Sequence, residues 1–299
     1  FSEKISSKRI SSNDLAEVLS GNKLEDKRTV FLPKKEVLKI FKNEDLKLKR
    51  KKLNDGQIIH SKDLQLKIFD KEKKIEIIQK FSNDWILFSN MDLSEWNISF
   101  YGEPTKSKDG LKQTINNYGM TGCLNFHKIK FNDTILNLEE GECEDTINIV
   151  NSIGRIKFIK VKSAYSDALD IDFSEIKIDH GIIDNAGNDC VDFSGGKYSI
   201  NKFELSNCGD KAISIGEKSV LNLSKVNIEN SKMGIASKDS SISKINSANM
   251  ENVEICLTAY NKKQEFYGGL IALSDIKCKN FSTKKKEDKQ SNIIVNKWN

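Results

Sequence analysis

The sequence predicts an all-β fold, a single-stranded parallel β-helix with one coil about every 22 residues. Three observations predict it: an apolar ladder, a second set of apolar columns and a recurrent asparagine. The ladder keeps a spacing of 22 residues without a slip: Ile147, Leu169, Val191, Ile213, Ile235 and Leu257. Two residues further on lies a parallel column: Ile149, Ile171, Phe193 and Ile215. One residue separates each pair, so the pattern predicts a strand with two inward positions.

A second strand follows in every repeat. Its two inward columns are Ile156, Ile178, Ile200, Leu223 and Ile245, then Val161, Ile183, Leu205, Ile228 and Met250. An asparagine column comes directly after them: Asn185, Asn207, Asn230 and Asn252. Asparagine tolerates the left-handed backbone of a tight corner, and stacked amides can hydrogen-bond along the solenoid axis. We therefore expect coils that stack about 4.8 Å apart.

The solenoid is expected to span residues 31–299, with its most regular coils at 121–269. Residues 1–30 are predicted to be an extension that caps the N-terminus, with a short helix at Ser12–Leu19. The expected earlier coils contain the apolar segments Ile58–Ile59, Leu64–Leu66, Ile75–Ile78, Trp85–Phe88 and Trp96–Phe100. Lys106–Thr114 is expected to leave the coil as a loop. Lys284–Lys289 is expected to be a solvated excursion before a last strand, Ile293–Val295.

Composition excludes several classes of protein. The 299 residues are 37% hydrophobic and contain no apolar run of the roughly 20 residues that a transmembrane helix needs. A net charge of +5 is too small to indicate nucleic acid, and the basic run Lys47–Lys52 lacks interleaved aromatics. The six cysteines form no CxxC pair, which disfavours zinc. We expect them to be reduced and separate, because Cys190 and Cys256 share a column but lie three coils apart.

The coils also carry sequence motifs that follow one another in a fixed order and at regular spacing. The chain reads EDTINIV at 144–150, SDALDIDF at 166–173, DKAISIGE at 210–217 and GIASKD at 234–239. These segments resemble pectate-lyase-like right-handed β-helix proteins. They are most similar to an uncharacterised bacterial group with EDALNIV, SDALDxDF and DKAISxGE coils. The resemblance implies a right-handed solenoid and a polysaccharide context. It also implies a secreted, periplasmic or cell-surface bacterial protein.

Aspartates concentrate on one predicted sheet face. The window from Glu142 to Asp192 holds eleven acidic and five basic residues. Strand alternation places Asp170, Asp172 and Asp192 outward, while the column Asp145, Asp167 and Asp189 lies at the strand entrance. Stacked carboxylates repel one another unless a cation, a shared proton or an ammonium group intervenes. We therefore expect Asp167, Asp170, Asp189 and Asp192 to be able to bind Ca²⁺.

Positive side chains are expected further along the same face. Lys211 continues the entrance column and Lys238 ends the neighbouring one, while Tyr260, Lys262 and Lys263 follow in the next coil. The candidate catalytic residues are Asp170, Asp172, Asp192, Lys211 and Lys238. Tyr260, Lys262 and Lys263 are the candidate substrate-binding residues. The entrance aspartates have a structural alternative, because aspartate at such positions caps turns.

Three functions fit this pattern. The first is a protein acting on or binding an acidic polysaccharide, as a Ca²⁺-assisted lyase or epimerase in which a lysine of lowered pKa removes a proton. The second is a non-catalytic cell-surface module that binds glycans or serves as a scaffold. The third is a glycoside hydrolase with paired aspartates. The Gly-His-Gly and Arg-x-Lys elements of polygalacturonases have no match after Asp192, which places hydrolysis behind the first function.

Overall fold

The computed structural model describes residues 48–82, 84–102 and 115–299. These residues contain no helix and form stacked coils of about 22 residues, some ten turns in all. The predicted parallel β-solenoid is therefore confirmed. The expected extension at 1–30, the helix at Ser12–Leu19 and the loop at Lys106–Thr114 lie outside the described residues.

Seventeen strands make up the described part of the chain. They are β1 (Leu48–Leu53), β2 (Gly56–Ser61), β3 (Gln65–Phe69), β4 (Lys74–Ile78), β5 (Ile86–Asp92), β6 (Asn97–Tyr101), β7 (Gly122–Glu139), β8 (Asp145–Val150), β9 (Ile153–Val161), β10 (Asp167–Asp172), β11 (Glu175–Ala186), β12 (Val191–Ser194), β13 (Lys197–Gly216), β14 (Val220–Lys238), β15 (Ile242–Tyr260), β16 (Leu270–Glu287) and β17 (Asn292–Trp298). β7 and β13 to β16 are long strands, each of which bends through two sides of its coil.

Two parallel sheets face each other across the core. Sheet A contains β5, β8, β10, β12, the start of β7 and the ends of β13 to β16. The predicted ladder lies in sheet A in the predicted register, and all six side chains are fully buried. Sheet B contains β6, β9, β11, β17, the end of β7 and the starts of β13 to β16. Its two predicted columns are also buried.

The asparagine corner is confirmed. Asn207, Asn230 and Asn252 all have positive φ, between 55° and 57°. The side-chain amide of Asn230 donates to Asn207 at 2.9 Å and that of Asn252 donates to Asn230 at 3.1 Å, whereas Asn207 itself donates to Asp184. The ladder extends one coil further than the sequence predicted, to Asn280. The asparagines that tolerate the left-handed backbone of this corner thus also form hydrogen bonds along the solenoid axis.

The first strands differ from the expectation of parallel coils. β1 and β2 form an antiparallel hairpin, and β2 pairs antiparallel with β5. β3 and β4 are also antiparallel. Parallel pairing begins only with β4 on β6 and β5 on β7. The short turns Asn54–Asp55 and Asp70–Lys73 explain this, because a tight turn returns the chain antiparallel whereas a parallel neighbour needs a longer connection.

The C-terminal coil also departs from expectation. Residues 284–287 are exposed, as expected, but they do not leave the coil: they continue β16 in sheet A, where Lys285 pairs with Leu257. Lys285 thus occupies the ladder position and forms an ion pair with Glu287 at 3.1 Å. Glu287 in turn accepts a hydrogen bond from the Ile293 amide at 2.7 Å. Charged side chains end the apolar ladder here, as is common at the exposed edges of sheets.

The expectation of reduced, separate cysteines is wrong. Three disulfides join Cys123 to Cys143, Cys190 to Cys208 and Cys256 to Cys278, with Cα–Cα distances of 5.4, 5.4 and 6.5 Å. The sequence argument considered cysteines only along one column, where three coils separate them. Each disulfide instead closes a single coil. Residues about 20 apart in sequence meet there across the interior of the solenoid.

Truncation of the ladder tests the register. Ile213→Ala removes a fully buried side chain and should lower the free energy of unfolding by about 2–4 kcal/mol. Ile153→Ala is the matched control, because the Ile153 side chain is 55% exposed on sheet B. Denaturant unfolding of both variants checks this. Equal losses in the two variants would contradict the inward assignment.

The disulfides give a second prediction. Peptide mapping without reduction should recover three linked pairs and no free thiol, in the pairing described above. Replacing Cys190 and Cys208 together by serine should cost about 3 kcal/mol, the value for closing a loop of this length in the unfolded chain. Thermal unfolding of the oxidised protein and this variant measures the cost. Alkylation of the native protein at any cysteine would contradict the pairing.

Candidate functional site: the acidic face of sheet A

The predicted aspartates do converge on the outer surface of sheet A. β8, β10 and β12 lie side by side, and Asp170 pairs with Asp192 in register. We call the six aspartates on this surface the acidic face: Asp145, Asp167, Asp170, Asp172, Asp189 and Asp192. Strand alternation and the 22-residue stacking together produce this cluster.

Two of the entrance aspartates cap backbone groups. Asp167 Oδ1 accepts the Asp189 amide at 2.9 Å, and Asp189 Oδ1 accepts the Lys211 amide at 3.0 Å. This is the structural role that the sequence offered as an alternative. Burial raises the pKa of Asp167 to about 6, and the nearby charge of Asp189 adds to the effect.

Asp145 breaks the entrance pattern. The Asp167 amide donates to the Glu144 carbonyl at 3.0 Å, so Asp145 does not receive the bond its counterparts receive. Its carboxyl instead accepts a hydrogen bond from the Thr121 hydroxyl. Burial raises the pKa of Asp145 to about 8, and the charge of Asp167 raises it further. At neutral pH this side chain is therefore a neutral carboxylic acid in the folded protein.

The mid-strand aspartates cap no backbone amide among the described residues. The Asp170 carboxyl accepts a hydrogen bond from the side-chain amide of Asn148 at 3.0 Å. Burial raises the pKa of Asp170 well above its usual value. Burial and the charge of Asp192 raise the pKa of Asp172 to about 6, while a hydrogen bond with Asp170 opposes the rise. One proton shared by Asp170 and Asp172 thus relieves part of their repulsion.

Asp192 is held differently. Its Oδ2 lies 3.6 Å from Lys238 Nζ, whereas its buried Oδ1 has no hydrogen-bond partner in the described part of the chain. Carboxylate oxygens of Asp167, Asp189 and Asp192 lie within 4.8 Å of one another. Asp170, the fourth predicted metal ligand, is outside this group. Three carboxylates, one of which has an oxygen without a partner, suit Ca²⁺, which takes six to eight oxygen ligands.

Lys238 reaches the acidic face along its own column. Its side chain runs back over Gly216, where an added Cβ would lie 2.9 Å from Lys238 Cε. The ammonium group donates to Ser214 Oγ at 2.7 Å. The absence of a side chain at Gly216 therefore gives the lysine its path towards Asp192.

Lys211 does not fit the role of a base. Its Nζ lies 3.3 Å from Asp189 Oδ1 and also pairs with Asp210. Burial alone lowers the pKa of Lys211, but the charges of Asp189 and Asp210 outweigh it and raise the pKa overall. The expectation of a lysine with a lowered pKa is therefore wrong for Lys211, which is a counter-ion.

The segment after β15 borders the lysine end of the acidic face. Asp239 Oδ1 accepts the amides of Lys262 and Lys263 at 2.7 and 2.8 Å. The Lys263 ammonium pairs with Glu217, and the charge of Lys263 reaches Asp172. Burial raises the pKa of Tyr260, which therefore stays a neutral phenol at pH 7. Asp239 thus fixes the backbone of this segment, and of Tyr260, Lys262 and Lys263 only Lys262 is exposed.

A cavity of about 720 Å³ adjoins the other end of the acidic face, and we call it the groove. Asp145, Asp170 and Asp172 line it together with residues that the sequence argument missed: Arg50, Tyr118, Thr121 and Asn148. Arg50 lies in β1 and Tyr118 in the segment before β7, far apart in sequence from the aspartates. The Tyr118 hydroxyl accepts a hydrogen bond from Arg50 at 2.6 Å. The antiparallel pairing of β1 with β2 places Arg50 at the groove. A pattern of sequence repeats cannot predict this position.

The remaining candidate residues lie on sheet A or in the segments that adjoin its strands, and they do not line the groove. These are Asp167, Asp189, Asp192, Lys211, Lys238, Tyr260, Lys262 and Lys263. His180, expected to be a surface histidine, lies on sheet B beside Glu204, with 2.8 Å between Nε2 and Oε1. The candidate site therefore has two connected parts, the groove at the N-terminal side and the carboxylate–lysine cluster beyond it.

No family model matches the chain, and neither a curated protein nor a solved structure is similar to it. In the described residues, no helix is long and apolar enough to cross a membrane. The geometry of the site is therefore the basis for any functional conclusion.

The buried acids predict an unusual pH dependence. Asp145 has a folded pKa of about 8 against about 3.9 in the unfolded chain, so the folded state holds the extra proton until the pH passes 8. Its stabilising contribution is therefore lost as the pH rises. Between pH 7 and 9 the free energy of unfolding should fall by about 1.4 kcal/mol from Asp145 alone.

Asp145→Asn is the control, because an amide cannot ionise and the variant should lose the part of this slope that Asp145 contributes. The lowered pKa values of His60 and His127 leave them neutral throughout this range. Urea unfolding at pH 7, 8 and 9 measures both proteins. A wild-type stability that is flat or rising over this interval would contradict the buried neutral acid.

Proposed function

We propose that the acidic face and the groove bind an acidic polysaccharide, with Ca²⁺ bridging the glycan to Asp167, Asp189 and Asp192. One observation carries the proposal: Asp170, Asp172 and Asp192 crowd an open sheet face without capping any described backbone amide. Burial raises the pKa of Asp170 and Asp172. Burying these acids therefore lowers the free energy of unfolding at neutral pH. A ligand or cation that uses these groups accounts for their presence.

The shape of the site favours an extended polymer. The acidic face crosses β8, β10 and β12, and the lysines follow in later coils of the same sheet. Solenoid faces of this kind are preformed over several repeats, so a chain-like ligand binds without first ordering the protein. The cavity of about 720 Å³ lies within the usual range for ligand sites. The resemblance of the coils to pectate-lyase-like proteins points to the same class of ligand.

The disulfides favour a location outside the cytoplasm. Disulfides persist in secreted, periplasmic and cell-surface proteins and are rare in the reducing cytosol. Three of them in the described residues agree with a bacterial protein that meets polysaccharides at or beyond the cell surface. We include this location in the proposal.

A reaction at the site would depend on the carboxyl groups. Burial raises the pKa of Asp170 well above its usual value, as a general acid requires, and Asp192 is a second carboxyl beside it in register. This favours hydrolysis as the second candidate function. A lyase or epimerase would use Lys238 rather than Lys211, which two aspartates hold. Binding alone is the third outcome, and it needs neither reaction.

The proposal is tested with polygalacturonate, alginate and hyaluronate, each with Ca²⁺ and with chelator. Calorimetry measures binding, reducing-end assays detect hydrolysis, and ultraviolet absorbance detects the unsaturated product of a lyase. Asp192→Asn should weaken Ca²⁺ and polysaccharide binding at least about tenfold, since it removes a charged ligand. Its melting temperature should stay within a few degrees of the wild type.

Glu229→Gln is the matched control, because Glu229 is an exposed carboxylate on sheet B. It should bind like the wild type. Two results contradict the proposal: none of the polysaccharides binds the wild type, or Asp192→Asn binds them unchanged. A loss of stability in Asp192→Asn without any change in binding would assign the face a structural role.

A further inference from the structure

The turn from sheet A to sheet B has a left-handed backbone in successive coils. Asn151, Phe173 and Gly195 have φ values of 50°, 48° and 65°. Asparagine and glycine tolerate this conformation, whereas a bulky apolar residue rarely adopts it. Among the described non-glycine residues with positive φ, Phe173 is the only apolar one. A strained backbone at one residue directs attention to what its side chain does.

Burial does not explain the phenylalanine. Its side chain is 57% exposed, so it gains little from the hydrophobic effect that would offset the strain. It lies beside the acidic face, immediately after Asp172, and lines the groove together with Asp145 and Asp170. The local fold alone would favour asparagine or glycine here.

The structure does fix the position of the ring. Phe173 packs over Gly195, where an added Cβ would lie only 2.5 Å from Phe173 Cδ1. The Phe173 amide donates to the Ser194 carbonyl at 2.8 Å, which anchors the backbone of the turn. The ring is thus both exposed and supported from one side by a residue without a side chain.

A second aromatic ring lines the same groove. Tyr118 packs edge-on against Trp85 with 5.8 Å between ring centroids, and Arg50 lies 5.8 Å from its centroid. These contacts hold Tyr118 at the cavity wall, where 37% of it is exposed. The groove therefore combines two supported aromatic rings with the carboxyl groups of Asp145, Asp170 and Asp172.

We infer that Phe173 is a stacking platform for a pyranose ring of the bound glycan, with Tyr118 as a second apolar contact. A pyranose ring has an apolar C–H face and a polar rim. Aromatic rings suit the former, while carboxyl groups accept or donate hydrogen bonds to the hydroxyls of the latter. This inference rests on the proposed function and specifies the ligand unit as a six-membered sugar ring, whether neutral or acidic.

Phe173→Asn separates the two roles of the residue. Asparagine suits the left-handed turn, so the variant should have a melting temperature equal to or above that of the wild type. Loss of the ring should weaken glycan binding about three- to tenfold. Phe81→Ala is the control, because Phe81 is likewise 57% exposed and does not line the groove. Calorimetry uses polygalacturonate, alginate, hyaluronate and the neutral oligosaccharide cellohexaose.

The outcomes are distinguishable. Weaker binding in Phe173→Asn at unchanged or raised stability, with Phe81→Ala unaffected, supports the platform. If an acidic polysaccharide binds wild type and Phe173→Asn equally, the platform is overturned while the proposed function stands. If only cellohexaose binds and the variant weakens it, the platform stands and the acidic ligand is overturned. Absence of binding by every probe to the wild type overturns both, and a less stable Phe173→Asn overturns the strain argument.

Discussion

Everything in this structure depends on the stacking of equivalent residues one strand spacing apart. A 22-residue coil places each side chain directly beside its counterpart, so any residue type that is repeated interacts with itself. Apolar side chains then form continuous buried ladders, and amides such as Asn230 and Asn252 bond along the axis. Serine behaves in the same way at the turn, where the Ser152 amide donates to Ser174 Oγ at 2.9 Å.

The same stacking makes the acidic face costly. Asp170 and Asp192 are neighbours in register, and the repulsion on this face is relieved only in part by the hydrogen bond between Asp170 and Asp172 and by the ion pair of Lys238 with Asp192. Asp167 and Asp189 accept hydrogen bonds from backbone amides, which is how this fold stabilises an aspartate with a structural role. Asp145, Asp172 and the exposed Phe173 depart from that pattern in one region of the solenoid. Departures of this kind collect at functional sites, where the rest of the structure must hold unfavourable groups in place.

Stacking also creates a problem wherever a coil of a solenoid lacks a neighbour on one side. At the N-terminal side of the described coils, the β1–β2 hairpin covers β5 in antiparallel fashion. At the C-terminal side, Lys285 and Glu287 replace the apolar ladder with an ion pair. Each disulfide closes one coil rather than linking distant coils. Successive disulfides along the chain are three coils apart. Because a solenoid is stabilised largely by contacts between neighbouring coils, such local closure restrains each region separately.

The sequence by itself determined the coil, its register and the face on which the aspartates meet. Period-2 alternation within a 22-residue repeat leaves no other arrangement for Leu169, Val191 and Asp170, and the asparagine column marks one left-handed corner. Only the tertiary structure decided what lies across from these residues. Cys190 meets Cys208, and Arg50 and Tyr118 line the same groove as Asp170, because the chain turns corners whose angles no repeat encodes. The charge states of Asp145 and Lys211 were likewise decided by burial and by close partners, since a pKa depends on surroundings in three dimensions rather than on neighbours in sequence.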